Sequence, residues 1–227
     1  MTDKYLLGLI SAKTTKLFSI SDYEMLKEFN KDEIIEYLYN SNFIDSKLKS
    51  FEDNTLTIFH NLKDEIEKYL TDEHLIYKYF FDNDNNLDKT NEIYSEINNK
   101  GYNLEFYSKF HIVKNIVTMF RLNELNLNVE DLNRNLLDQN EISNELLKKS
   151  FNLGKNEIIK ITKELLNITV DYNLNIVDIE KLLNNYFYDY AKKYSYSSEL
   201  SDLIAYYIYR NIKQIEMIKS IYYLGEL

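Results

Sequence analysis

The sequence predicts an all-α fold without a sheet, built as duplicated helical bundle units. Three observations carry that reading. The chain of 227 residues has no proline and four glycines, where average usage would give about eleven prolines. The turns of a β-sandwich or barrel recruit both residues, so this composition points to long helices joined by polar loops. Apolar residues also recur at spacings of three and four along the whole chain, the period of a helix face. Finally, the chain repeats itself.

The elements follow in order. Ser21 with Glu24 forms a capping-box pattern that opens a short helix, with Met25, Leu26 and Phe29 as its apolar face. Asn30 with Glu33 repeats the pattern, and Ile34, Ile35 and Leu38 form the face of a second helix. Residues 56–70 read as an amphipathic helix through Leu56, Phe59, Leu62, Ile66 and Leu70. Polar breaks are expected at DNDNNLD (82–88) and NNKGYN (98–103). Between 104 and 122 a helix carries Phe106, Phe110, Val113, Val117 and Phe120 on one side. A closing helix is expected over about 198–223, roughly 39 Å long, with Ile204, Ile208, Ile212, Ile215 and Ile218 as its stripe. Isoleucine in that number implies tertiary packing more than intrinsic helicity.

ISDYEMLKEFNKDEIIEYL (20–38) is echoed by ISNELLKKSFNLGKNEIIK (142–160), with eight identities in sixteen aligned positions and a two-residue insertion. DEIEKYL (64–70) is echoed by VDIEKLL (177–183), and KNI (114–116) by RNI (210–212), in the same order. The expected organisation is an N-terminal helical bundle unit over 1–125 and a C-terminal one over 126–227, packed as one protein.

Other classes of function find little support. Without cysteine there are no disulfides or thiolate metal sites. The 27 basic and 37 acidic residues leave a net charge of −10, a field that repels phosphate backbones and disfavours a nucleic-acid partner. The apolar run near the start, Leu6 to Ile10, is too short for a secretory signal core, and the richest run, LIAYYIY (203–209), is far short of a bilayer span. A soluble chain is expected. His60, His74 and His111 lack metal-ligand spacing and read as structural or surface residues. Four scattered glycines build neither a phosphate loop nor a nucleophile elbow. DNDNNLDKTNEI (82–93) places Asp82, Asp84 and Asn86 as a calcium loop would, but Leu87 replaces the bend glycine and Ile93 the bidentate glutamate. A solvated loop is expected there. No catalytic, cofactor-binding or metal residue is expected.

Three stretches resemble the C-type family of the V-type and archaeal-type rotary ATPases, called d-type in eukaryotes, whose members form the socket between central stalk and rotor ring. KYLLGLISAKTTKLFSISDYEMLKEFNKDEIIEYLYNSNF (4–43) is similar to the family's opening, an aromatic-led helix followed by a helix pair. FHIVKNIVTMFRL (110–122) resembles a motif helix in which Asn115, Ile116 and Arg121 keep the family spacing, while Ile112 stands in place of its aspartate. LSDLIAYYIYRNIKQIEMIKSI (200–221) resembles the closing helix, with Gln214 at the glutamate position and Lys219 at the arginine position. Lysine lacks arginine's bidentate fork. Family members are longer and usually have three bundles, against two here.

The resemblance implies a non-catalytic coupling component. It would sit at the cytoplasmic face, link the central stalk to the membrane rotor ring, and serve proton or sodium transport without a cofactor of its own. Asn115, Ile116, Arg121, Gln214 and Lys219 would be structural or interface positions. The competing expectation is a free-standing helical protein–protein interaction scaffold or adaptor, which would carry a contiguous exposed apolar patch.

Overall fold

In the computed structural model, residues 3–44, 51–68, 74–81, 86–139 and 142–225 are described. Every regular element among them is a helix. In chain order these are α1 (Asp3–Thr14), α2 (Ile20–Lys27), α3 (Lys31–Asn40), α4 (Phe51–Glu67), α5 (Leu75–Phe81) and α6 (Leu87–Asn99). They continue as α7 (Glu105–Glu124), α8 (Val129–Asn133), α9 (Asn144–Asn152), α10 (Lys155–Leu166), α11 (Ile176–Ala191) and α12 (Leu200–Leu224), with a 3-10 turn, Lys192–Tyr196, before the last. The all-α class is therefore as the missing prolines and the apolar spacing indicate.

The chain divides into two compact units. One comprises residues 1–82 and 194–227, the other residues 83–193. This differs from the expected boundary at 125/126. The reason lies in α12, which packs against α1, α2, α4 and α5 and so returns the end of the chain to the unit that its beginning builds.

In the first unit α12 is the central element. Residues 202–210 are buried without interruption, as a helix must be when neighbours surround it. Its later turns supply Ile218 and Ile221 to a core with Phe18, Tyr23, Leu26, Ile34, Leu38, Ile44 and Phe51. The Phe18 ring meets Tyr23 and Tyr37 edge-on, with centroids 6.0 Å apart.

Local chemistry sets the helix starts. Asn30 caps α3 as expected: its Oδ1 accepts from the Asp32 and Glu33 N–H groups at 3.0 and 3.1 Å, and Glu33 accepts from the Asn30 N–H at 2.8 Å. The first capping box is not Ser21/Glu24 but Ser19/Asp22, in which Asp22 accepts from the Ser19 N–H at 2.6 Å. Ser19 and Asp22 satisfy the same three-residue spacing two positions earlier. Starting there turns Tyr23 and Leu26 into the core and leaves Met25 on the surface. The Ser19 hydrogen bonds hold the Asp22 carboxyl below its ordinary range.

Two further expectations shift. The helix expected at 56–70 begins at Phe51, and its buried face runs through Phe51, Thr55, Leu62 and Ile66, leaving Leu56 exposed. Leu70 lies outside the described residues. So do Asp82 and Asp84 of the calcium-like stretch. Its Asn86 is the N-cap of α6, accepting from the Lys89 N–H at 3.2 Å, and Ile93 is buried core.

In the second unit α7 is central and packs against α8, α10 and α11. The echoed helix pairs are α2–α3 and α9–α10. In the second helix of each pair the match is close. Glu33 and Glu157 stand three residues after their N-caps, Ile34 and Ile158 are buried, and so are Leu38 and Thr162 one turn on. The first helices differ: Tyr23 and Leu26 are buried in α2, but the aligned Glu145 and Lys148 are not buried in α9. Those positions are charged in α9, whose buried face is Leu147, Ser150 and Phe151, and the inserted Leu153–Gly154 alters the cap of the next helix. Gly154, at φ 88°, becomes the N-cap of α10 in a conformation that glycine adopts at little cost, and Asn152 is left in α9 without Asn30's capping role.

Candidate functional site

The residues on which the resemblance rests lie on α7 and α12, the two longest of the described helices, and two of them form buried polar clamps. On α7, Asn115 is fully buried. Its Nδ2 donates to the Leu137 carbonyl and its Oδ1 accepts from the Leu137 N–H, both at 2.8 Å. Residues 136–138 have no regular structure, so their backbone groups need partners from elsewhere. Asn91 of α6 supplies a second amide, accepting from the Asp138 N–H at 2.8 Å and donating to the Leu136 carbonyl at 3.3 Å. His111, one turn before Asn115, completes the clamp by donating from Nδ1 to the Asp138 carbonyl. Three side chains thus do for this segment what a neighbouring strand would do in a sheet.

The carbonyl fixes the histidine's proton. An oxygen without hydrogen can only accept, so Nδ1 carries the proton of the neutral ring. Burial pushes the His111 pKa down to about 4, with the Asp138 hydrogen bond opposing that shift. The Tyr94 ring lies 4.8 Å from the imidazole, between centroids. His74 instead accepts at Nδ1, from the Ile76 N–H at 3.3 Å, and His60 is exposed on α4.

In the first unit the same device recurs on α12. Gln214, buried at 4% exposure, accepts from the Phe18 N–H at 2.8 Å. Arg210, one turn earlier, donates to the Phe18 carbonyl at 3.2 Å and to the Tyr206 hydroxyl at 3.0 Å. Phe18 lies in the α1–α2 connection, so the clamp fixes that connection to the central helix.

The remaining motif residues do not share one role. Ile116 is core. Arg121 is 58% exposed and forms a bidentate pair with Glu180 of α11, whose carboxylate raises its pKa further. Lys219 is half-buried on α12 and has no ion pair among the described residues. The KNI/RNI echo also separates in role: Asn115 reaches a distant segment, whereas Asn211 donates back to the Tyr207 carbonyl of its own helix at 2.8 Å. The closer counterpart of Asn115 is Gln214.

Arg210 and Asn91 are parts of the clamps that the sequence alone does not single out, whereas His111, expected as a structural or surface residue, is buried in the first clamp. For Arg210 the signal would have been a long polar side chain inside an apolar stripe, one turn from Gln214; Asn91 lies on α6, a separate helix from Asn115, and leaves no such signal.

Chemically, these clamps hold backbone: each side chain in them is engaged with main-chain groups of a distant segment. Among the described residues no group of three or more His, Asp or Glu side chains could hold a metal ion, and no helix is long and apolar enough to cross a membrane. Compared with protein-family models, with curated proteins and with solved structures, the chain matches none.

Proposed function

We propose that the chain is a non-catalytic coupling component of a rotary V/A-type ATPase, linking the central stalk to the membrane rotor ring for proton or sodium transport. The observation that carries this reading is the shared role of Asn115 and Gln214. Both stand at positions assigned by the resemblance, and both lock an irregular backbone segment to the central helix of their unit. A part that transmits torque must not shear internally, and buried amide-to-backbone clamps resist sliding more than apolar contacts alone. The test is whether the tagged chain co-purifies with stalk and ring proteins from the membranes of its source cell.

A second reading, a free-standing interaction scaffold or adaptor, is favoured by the exposed apolar side chains Leu125, Leu153, Tyr172 and Val177 in the second unit. It predicts partners unrelated to an ATPase in the same experiment.

A further inference from the structure

At one end of the second unit, a cavity of about 140 Å³ is lined by Phe120 and Glu124 of α7, Lys155 of α10, Leu174, and Ile176 and Ile179 of α11, among others. The helix ends are brought together by the packing of α7 against α10 and α11. Exposed apolar side chains flank this lining in the chain. Leu125 follows Glu124, Leu153 precedes Lys155 by two residues, and Val177 follows Ile176; all three are more than half exposed. Tyr172, also exposed, lies beneath the Lys155 ammonium at 5.0 Å, and the same ammonium donates to the Leu174 carbonyl at 3.2 Å. Apolar side chains exposed together and rimmed by polar residues mark an interaction surface, where single scattered ones do not.

Charge identifies the kind of partner. Glu124, Asp171 and Asp178, the chain neighbours of Leu125, Tyr172 and Val177, are all exposed. Two nearby cations are engaged, Lys155 with Tyr172 and the Leu174 carbonyl and Arg121 with Glu180, while Lys149 is exposed one turn before Leu153. An acidic rim repels nucleic acid and anionic lipid, and it repels a second copy of a chain whose net charge is −10. It attracts a cationic segment whose apolar side chains can cover the patch. The geometry points to this end of the second unit as a docking site for a basic, amphipathic segment of another protein, with lysines or arginines meeting Glu124, Asp171 and Asp178. The inference does not depend on the rotary-coupling reading, because a stalk protein and an unrelated partner could both supply such a segment.

The test uses the full chain and a fluorescent amphipathic peptide of leucine and lysine, roughly 15 residues long, a length that lays a helix face across a groove. Saturable binding is expected by anisotropy. It should weaken about tenfold or more in Leu125→Ser/Leu153→Ser/Val177→Ser and in Glu124→Lys/Asp171→Lys. It should not change in Tyr39→Ser/Leu56→Ser, two exposed positions of the first unit. The same peptide with glutamate for lysine should not bind. Amide-shift mapping on the unsubstituted chain should centre on residues 121–125, 153–157 and 171–180, which keeps the test independent of any variant's folding. Equal binding by the patch variants, shifts centred elsewhere, or binding of the glutamate peptide overturns the proposal. So does loss, in the patch variants, of self-association or of phosphatidylserine-vesicle binding when the lysine peptide does not bind. Failure here leaves co-purification with an ATPase undecided, and failure of that co-purification leaves this site standing.

Discussion

The side-chain amide of Asn115 meets both backbone polar groups of Leu137 at 2.8 Å, and so ties an irregular segment 22 residues away to the middle of α7. Removing that amide leaves a backbone donor and an acceptor without their partner in a partly buried place. Asn115→Leu should therefore destabilise the chain by about 2–6 kcal/mol, at 1–3 kcal/mol per unsatisfied group. Denaturant unfolding followed by circular dichroism checks it. A change under about 0.5 kcal/mol would mean that residues 136–138 are not held this way.

Gln214 should behave alike in the first unit. Gln214→Met keeps the shape and removes the acceptor for the Phe18 N–H, at a cost of about 1–3 kcal/mol. Because Gln214 and Asn115 share no hydrogen-bond partner, the double variant should show the sum of the two single costs to within about 0.5 kcal/mol. The same unfolding measurement decides, and strong non-additivity would contradict two separate clamps.

His111 predicts a defined pH window. Its folded pKa is about 4 against an ordinary 6.5, so between those values the unfolded chain binds a proton that the folded chain refuses. Stability therefore falls as pH drops from about 6.5 to about 4, by roughly 3 kcal/mol in all, and the histidine contributes no slope above that window. Asp22, whose carboxyl is held below its ordinary value by Ser19, adds its loss only at lower pH, as the solution approaches and passes below 3.8. The two windows separate. His111→Gln should flatten the slope between pH 6.5 and 4, and the His111 ring protons should titrate with a midpoint near 4 by NMR. A midpoint near 6.5 would contradict the buried clamp.

How much of the fold and site is legible in the sequence depends on whether the determinant is local. The Asn30/Glu33 box can be read because both partners lie within one turn, and α12 because its apolar stripe is continuous. Ser21/Glu24 misleads because Ser19/Asp22 offers the same spacing, and only the burial of Tyr23 decides between them. Helix α5 is too short for its period to show. Asn115 is reached through the KNI/RNI echo and the resemblance and Gln214 through the resemblance alone, but what they hold is not. Phe18 lies 196 residues from Gln214 and Leu137 in an irregular segment, so neither leaves a periodic trace in the sequence.

Arg121 separates structural from interface roles. An ion pair with a half-exposed arginine contributes less than about 1 kcal/mol and weakens with salt, so Arg121→Ala should scarcely move the unfolding midpoint. If the residue serves an interface, as the resemblance implies, the same variant should weaken partner recovery while stability stays intact. Parallel unfolding and pull-down measurements distinguish the two.

The most direct test of the coupling reading is affinity purification of the tagged chain, after chemical cross-linking, from detergent-solubilised membranes of its source cell, with the recovered proteins identified by mass spectrometry. A coupling component should be recovered cross-linked to a central-stalk protein and a rotor-ring protein together. Recovery of neither, from membranes in which the ATPase itself is shown to be intact, would contradict the coupling reading.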